Sequence, residues 1–176
     1  LMSEAIFANG CFWCTEAVFQ RLKGVHKVRS GFTGGSIKNP AYREVVMGNT
    51  GHAEAIHITY DETIIGYETL LYVFFSTHDP TTLNRQGYDV GTQYRSAIFY
   101  TDEQQKQIAE KIIEKLNNET FNNQIVTQLQ PASEFYAAEE DHQNFYNQNI
   151  GYRYCKLVID PKLAVLKEKY SPYLKS

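Results

Sequence analysis

The chain has 176 residues, enough for one domain with a sizeable core and no need of disulfide staples. Hydrophobic residues make up 43% and charged residues 21%, an ordinary balance for a soluble globular fold. The formal charge of −3, with no basic run, argues against a nucleic-acid backbone or an anionic membrane as partner.

From the start, the apolar run Glu4–Ala8 reads as a strand, Asn9-Gly10 as a turn, and Thr15–Leu22 as a helix with Cys11 near its N-terminus. Val25–Phe32 reads as a second strand, followed by a glycine-rich loop to Gly51. Within that loop Pro40–Val46 suits a short helix with Asn39 as its cap. Glu54–Tyr60 alternates as a strand, and Tyr67, Leu70, Leu71, Phe74 and Phe75 fall at helical spacing. Ser76–Gln93 shows no period, and an aperiodic stretch of that length in a compact domain reads as a functional loop. Tyr94–Tyr100 reads as a strand, and Thr101-Asp-Glu-Gln104 as a capping box opening a helix that frays at Asn117-Asn118. Ile125–Leu129 is expected as a strand, Ala137–Asn147 as a weaker helix, Cys155–Ile159 as a last short strand, and the rest to about Tyr170 as a terminal helix. With no repeat or linker, residues 1–176 are expected to form a single α+β domain.

Three cysteines, an odd number in a domain of this size, point to a reducing compartment and to thiols kept for reactivity or packing. No secretory signal or bilayer-length apolar run is visible, so the expected location is cytoplasmic. Leu1 ahead of Met2 reads as an expression or processing remnant.

A thiol at a helix start faces unpaired backbone N–H groups and the positive end of the helix dipole, which favour the thiolate. Cys11 has that position, and Cys14 follows at the spacing of dithiol motifs. Both could equally be small core hydrophobes. Helical residues three apart have Cβ atoms ~5–6 Å apart, slightly wide for a disulfide, so a Cys11–Cys14 bond would need some unwinding of the first turn. Strand parity puts Glu54 on the face of Ile56, Ile58 and Tyr60. A carboxyl ending an apolar stripe has a raised pKa and can donate a proton near neutrality, unless the strand starts later and the residue points to water. Tyr42 and Tyr94 lie in or beside loops where a phenol can donate to an oxyanion, and Asp89 is expected to face solvent unless a partner holds it. Phe12 and Trp13 beside a thiol form either core or an apolar pocket. The five histidines are scattered, and the cysteines lack a second ligand pair at zinc-finger spacing, so no metal and no other cofactor is expected.

Taken in register, Gly10-Cys-Phe-Trp13, Pro40-Ala-Tyr-Arg-Glu-Val45, Gly51-His-Ala-Glu-Ala-Ile56, His78–Gln86 and Gly91-Thr-Gln-Tyr-Arg-Ser96 resemble the peptide methionine sulfoxide reductase A family. Glu140-Asp-His-Gln-Asn144 also resembles the region before the family's recycling cysteine. The resemblance implies a two-layer α+β sandwich with a ferredoxin-like βαβ core and a mixed sheet. It implies Cys11 as nucleophile, Glu54 as proton donor, and Phe12 and Trp13 as a pocket for the substrate methyl group. Tyr42 and Tyr94 resemble the phenols around the sulfoxide oxygen, and Asp89 an aspartate of the polar network. The implied substrate is methionine S-sulfoxide, free or in proteins. A sulfenic acid would form on Cys11 and be resolved to a disulfide, which thioredoxin reduces.

Many members of the family have Gly where this chain has Cys14. Cys155, in a loose Gly-Tyr-Arg-Tyr-Cys motif, resembles the C-terminal recycling residue and is the expected first resolver, since no helix turn need open. A relay through Cys14 is the alternative. Two rival functions remain at this point: a general dithiol oxidoreductase built on Cys11 and Cys14, and a non-catalytic peptide-binding domain using its aromatic loops.

Overall fold

The computed structural model describes residues 2–175; Leu1, read above as a remnant, lies outside them. In chain order the elements begin with β1 (Met2–Asn9), α1 (Phe12–Phe19), β2 (Val25–Thr33), α2 (Tyr42–Val46), β3 (Ala53–Asp61) and α3 (Tyr67–Ser76). A small hairpin, β4 (Arg85–Gln86) and β5 (Asp89–Val90), leads through a 3-10 turn at Thr92–Tyr94 to β6 (Ser96–Tyr100). Then come α4 (Glu103–Glu119), β7 (Gln128–Pro131), β8 (Tyr136–Ala137), α5 (Phe145–Gln148) and α6 (Asp160–Tyr170).

The main sheet has the order β7-β6-β1-β3-β2-β8. β3 lies between β1 and β2 and runs antiparallel to both, while β1 lies between β3 and β6 and is antiparallel to both. These are two interleaved split βαβ units, β1-α1-β2 and β3-α3-β6, and they make the ferredoxin-like core. Parallel pairing of β7 with β6 makes the sheet mixed.

Period two sorts the side chains. Ala5 and Phe7 of β1, Ile56, Ile58 and Tyr60 of β3 and Ile98 of β6 face the helices and pack with Phe19, Leu70, Leu71 and Phe74. Ile6, Ala8, Ala53, Ala55, Ala97 and Phe99 face the other way and make a smaller cluster under Phe135. Each fully buried Phe or Ile of the larger cluster contributes roughly 1.5–3 kcal/mol relative to exposure. Helix α1 has almost no polar face: seven of its eight residues are buried. It lies between the sheet and the C-terminal segments α5 and α6, and a helix enclosed on both sides shows no amphipathic period.

Several local expectations shift. The first helix begins at Phe12 rather than Thr15, so Cys14 sits in its first turn. Ala41, not Asn39, precedes α2; its N–H is taken by Glu44 Oε1 at 2.9 Å, while Asn39 is left-handed at φ 48°. The cap of α4 is Asp102, whose carboxylate accepts from Gln105 N–H at 2.8 Å, and Gln105 Oε1 accepts from Thr101 N–H. The capping box is thus displaced by one residue. Ala137–Asn147 is not one helix but the end of β8, a 3-10 turn at Glu140–His142 and the short α5. The break falls at Asn144, left-handed at φ 54°. Cys155–Ile159 is not a strand but a π-helical turn leading into α6. Pro161 has no N–H and its ring crowds the carbonyl four residues back, so the regular i→i−4 ladder cannot run through this junction. No described helix is long and apolar enough to cross a membrane.

Candidate active site

The β1–β3 ladder pairs Phe7 with Ile56, and one further step of two brings Asn9 level with Glu54. Gly10 then turns the chain at φ 114°, where a Cβ would stand 2.9 Å from Gln86 Cγ, so both backbone and space call for glycine. Cys11 is the N-cap of α1 and offers no side-chain cap. The first helical N–H, that of Phe12, is instead taken by Glu54 Oε1 at 3.0 Å. A carboxyl group from the sheet thus caps the helix that carries the thiols.

Glu54 is 1% exposed, on the face of Ile56, Ile58 and Tyr60 as parity requires. Burial raises its pKa from 4.5 to about 8, against the lowering effect of the Phe12 N–H. It is therefore protonated at neutral pH. Tyr42, the first residue of α2, and Tyr94, in the 3-10 turn before β6, are half-buried. Burial and then the Glu54 charge push both phenols upward, Cys11 and Asp89 adding smaller contributions, so both remain hydroxyl donors.

The two N-terminal thiols behave as a pair. A helix-start N–H, that of Trp13, does favour the Cys11 thiolate, but burial, the Cys14 thiol and the Glu54 charge outweigh it and push Cys11 well above the ordinary thiol range. Cys14 is lowered, first by the neighbouring Cys11 thiol and further by the Lys162 charge, against its own burial and the Asp89 charge. Burial thus opposes the helix-start effect that favours a Cys11 thiolate. Cys14 Sγ lies 3.5 Å from the Tyr154 hydroxyl, which donates to Asp89 Oδ2 at 2.8 Å. Asp89, expected to face water unless held, is held.

Cys155 is fully buried in a cluster with Cys14, Ala17, Phe145, Tyr146 and Ile159, with Cys11 at its margin. All three thiols are free. Cys155 reaches this cluster from the π-helical turn that leads into α6. A cleft of about 220 Å³ opens beside Cys11 and Cys14, walled by Gln86, Asp89, Tyr154 and Lys162 among others.

The aromatic wall is larger than the sequence suggests. Phe12 packs on Phe32 at 5.5 Å and on Tyr42 at 6.1 Å between ring centroids. Trp13 stacks on Phe145 at 3.8 Å and 8°, and its Nε1–H donates to His142 Nδ1 at 3.3 Å. His142 in turn stacks on Tyr42 at 4.0 Å. Glu16, 2% exposed, fixes this segment by accepting from Asn144 N–H at 2.9 Å and Phe145 N–H at 3.4 Å. Sequence reasoning missed His142, Phe145, Tyr154, Glu16 and Lys162. The Glu140–Asn144 motif singled out that neighbourhood, but nothing in its pattern says that it folds over Trp13. Among the described residues no cluster of three or more His, Cys, Asp or Glu could hold a metal ion.

The family described as peptide methionine sulfoxide reductase matches residues 3–173. A Deinococcus radiodurans protein named peptide methionine sulfoxide reductase MsrA is 56% identical over 173 residues, covering 98% of this chain and 84% of the relative. One of the same name from Chromobacterium violaceum is 52% identical over 176 residues, covering 99% of this chain and 100% of the relative. Among solved structures, Mxr1 of Saccharomyces cerevisiae in reduced form superposes with a TM-score of 0.80 at 32% identity, covering 88% of this chain and 89% of that one. The same yeast protein in complex with Trx2 gives a TM-score of 0.56 at 23% identity, covering 82% and 84%. A match that runs from β1 to the last described turn, on a fold shared with Mxr1, makes this chain a member of the peptide methionine sulfoxide reductase family.

Proposed function

We propose that this methionine sulfoxide reductase acts on the S epimer, free or within proteins, with Cys11 as nucleophile and Glu54 as general acid. The observation that carries the reading is the 3.0 Å hydrogen bond from Phe12 N–H to Glu54 Oε1. It ties a carboxyl protonated at neutral pH to the residue that follows the proposed nucleophile.

The substrate methyl group packs against Phe12 and Trp13, with the His142 ring as a third side. The sulfoxide oxygen takes hydrogen bonds from Glu54, Tyr42 and Tyr94, and Asp89 and Tyr154 hold the polar rim. Cys11 gives up its thiol proton to solvent, and its sulfur attacks the substrate sulfur while Glu54 protonates the oxygen. Protonation matters because the oxygen would otherwise leave with full negative charge. Methionine departs, and oxygen and proton remain on Cys11 as a sulfenic acid.

Cys14 is the proposed first resolving thiol, since it sits in the first turn of α1 and lines the same cleft as Cys11, and Cys155 then takes the disulfide onward because it shares a cluster with Cys14. This order reverses the preference for Cys155 drawn from sequence. Thioredoxin is the proposed final reductant, supported by the complex of yeast Mxr1 with Trx2. The same reading treats residues 1–176 as one domain with a cytoplasmic role in repair of oxidised proteins, without metal or other cofactor.

Separated methionine sulfoxide diastereomers with dithiothreitol test the assignment. Turnover of the S form that vanishes in Cys11→Ser supports it; turnover of the R form, or activity that survives the substitution, overturns it. A general dithiol oxidoreductase would instead keep its activity in Glu54→Gln.

A further inference from the structure

Two apolar side chains at the mouth of the thiol cleft take no part in the cycle described above. Tyr88, at the tip of the β4–β5 hairpin, is 97% exposed, and Leu157, on the π-helical turn, is 63% exposed. Both line the cleft that Cys11 and Cys14 line. Gly87, left-handed at φ 59°, and Tyr88 form the two-residue turn that carries the ring outward. The hydrogen bond from the Tyr154 hydroxyl to Asp89 Oδ2 at 2.8 Å ties this hairpin to the C-terminal segment, so the two lips come from distant parts of the chain. The charged side chains between them are bonded to protein partners: Asp89 accepts from Tyr154, and Lys162 Nζ donates to the Thr77 carbonyl at 2.6 Å. One exposed apolar residue is ordinary on a protein surface; two on opposite lips of a cleft that reaches the proposed nucleophile form a contact surface.

We infer that Tyr88 and Leu157 bind the apolar side chains that flank methionine sulfoxide in a polypeptide, and so favour protein-bound substrate over the free amino acid. The inference rests on the reading of Cys11 as nucleophile. The substrate sulfur must reach Cys11, which lines the cleft, so the chain that carries it crosses the mouth. At about 220 Å³ the cleft is smaller than the roughly 300–1,000 Å³ of pockets that enclose a drug-sized ligand. It takes one side chain and leaves the neighbouring residues on the lips. The cleft joins the aromatic wall at Tyr154, whose ring meets Trp13 edge-on at 5.9 Å between centroids. A methionine sulfoxide with its methyl on Trp13 and its sulfur at Cys11 therefore leaves its backbone at the surface, between Tyr88 and Leu157.

A free amino acid brings an ammonium and a carboxylate to this place, and both lose hydration against an apolar rim. In a polypeptide the same positions are neutral amides, followed by side chains that the rim covers. Val158, beside Leu157, packs against the cluster of Cys14 and Cys155 and gives that lip a fixed base. Tyr88 supplies a broad ring at low cost in conformational entropy. Thioredoxin also approaches the thiols, but in the proposed relay the disulfide passes to Cys155, which is fully buried and is not among the residues lining the cleft. The lips therefore stand over the substrate's path to Cys11.

The test compares Tyr88→Ser, Leu157→Ser and the double variant with the parent, using dithiothreitol as reductant. The substrates are free methionine S-sulfoxide and acetylated, amidated tripeptides that carry it between two leucines or between two glycines. For the leucine-flanked peptide, kcat/KM is expected to fall about tenfold in the double variant, through KM with kcat held. For the free amino acid and the glycine-flanked peptide it should stay within about twofold of the parent, which also shows that the variants fold. Unchanged kinetics on the leucine-flanked peptide overturn the inference. So does an equal loss on all substrates, because the two side chains would then act on the reacting centre or on the fold. A KM for thioredoxin that rises while the peptide kinetics stay unchanged makes the lips a docking surface for the reductant and overturns it too. Cys11→Ser separates the premise: turnover that survives this substitution defeats the nucleophile and the inference with it, whereas loss of turnover there, with no discrimination between flanks in the Tyr88 and Leu157 variants, defeats the inference alone.

Discussion

Phe12 donates its backbone N–H to Glu54 Oε1 at 3.0 Å, so one carboxyl oxygen caps α1 while the other remains for chemistry. Glu54→Gln keeps an acceptor for that N–H and removes the proton donor. Under the proposed mechanism kcat falls about 10²–10⁴-fold while the far-ultraviolet circular dichroism spectrum stays unchanged. The acid form of Glu54 is present below about pH 8, so kcat/KM of the native enzyme should fall as pH rises through that value. The variant should lack this limb, and a variant profile with the same limb would assign it to another group.

Trp13 is the single tryptophan of the chain and stacks face to face on Phe145, which makes its fluorescence a reporter of the C-terminal segment. Phe145→Ala removes a stack of about 0.5–1.5 kcal/mol beyond its buried area. The expected result is a red-shifted emission and a KM raised severalfold, with kcat changed less. Steady-state kinetics on a peptide substrate measure the split.

Glu16 and Glu54 both have folded-state pKa values above the ordinary 4.5, at about 7 and about 8. The folded chain binds these protons more tightly than the unfolded one. Their stabilising effect is therefore full below pH 4.5 and is lost as pH rises through 7 and 8. His78 acts in the opposite sense: lowered to about 3, it costs stability as pH falls below 6.5. Glu16→Gln isolates one contribution. Its unfolding free energy relative to the parent should improve by about 3 kcal/mol between pH 4.5 and pH 8. Urea titrations at the two pH values check this, and a parallel pH dependence in both proteins would contradict it.

Cys14→Ser and Cys155→Ser distinguish the proposed relay from direct resolution. With one equivalent of substrate and no reductant, Cys14→Ser is expected to accumulate the sulfenic acid on Cys11, detectable by trapping with dimedone. Cys155→Ser is expected to stop at a Cys11–Cys14 disulfide. Recovery of a Cys11–Cys155 bond at the native rate in Cys14→Ser would remove Cys14 from the sequence.

The turn at Gly10 is a constrained backbone position of the site. Gly10→Ala combines a φ of 114° with a Cβ 2.9 Å from Gln86 Cγ. It should destabilise the fold by roughly 1–3 kcal/mol and displace Cys11 from Glu54, lowering kcat more than the stability loss alone explains. Thermal melting and kcat, measured together, separate the two effects.

The face of Glu54 was legible in the sequence because strand periodicity is short-range: residues two apart share a side whatever lies beyond them. Ile56, Ile58 and Tyr60 announced an apolar face, and the carboxyl at its end is buried. Cys11 at a helix start was legible for a similar reason, since a strand, a glycine and an apolar helix in succession leave few geometries. The long stretch after His78 could not be read so. Before the 3-10 turn at Thr92–Tyr94 its regular element is the two-residue pairing of β4 with β5, beside the hydrogen bonds of Asp79, Thr82 and Gln86, too short to leave a period.

By itself, the chain of residues determined the strands and helices of the βαβ units, the nucleophile and acid as candidates, and the family resemblance, all of which rest on local pattern. Tertiary structure alone decided what surrounds them. The C-terminal segment returns over α1 to set His142 and Phe145 on Trp13, Tyr154 on Cys14, and Lys162 in the thiol cleft. Those residues lie more than a hundred positions from the thiols they meet, and no periodicity spans such a distance. The meeting depends on α1 being apolar on both sides, and on a buried carboxyl, Glu16, that takes the N–H groups of Asn144 and Phe145. Local pattern also favoured the thiolate on Cys11; in the folded chain burial opposes it and pushes that thiol upward.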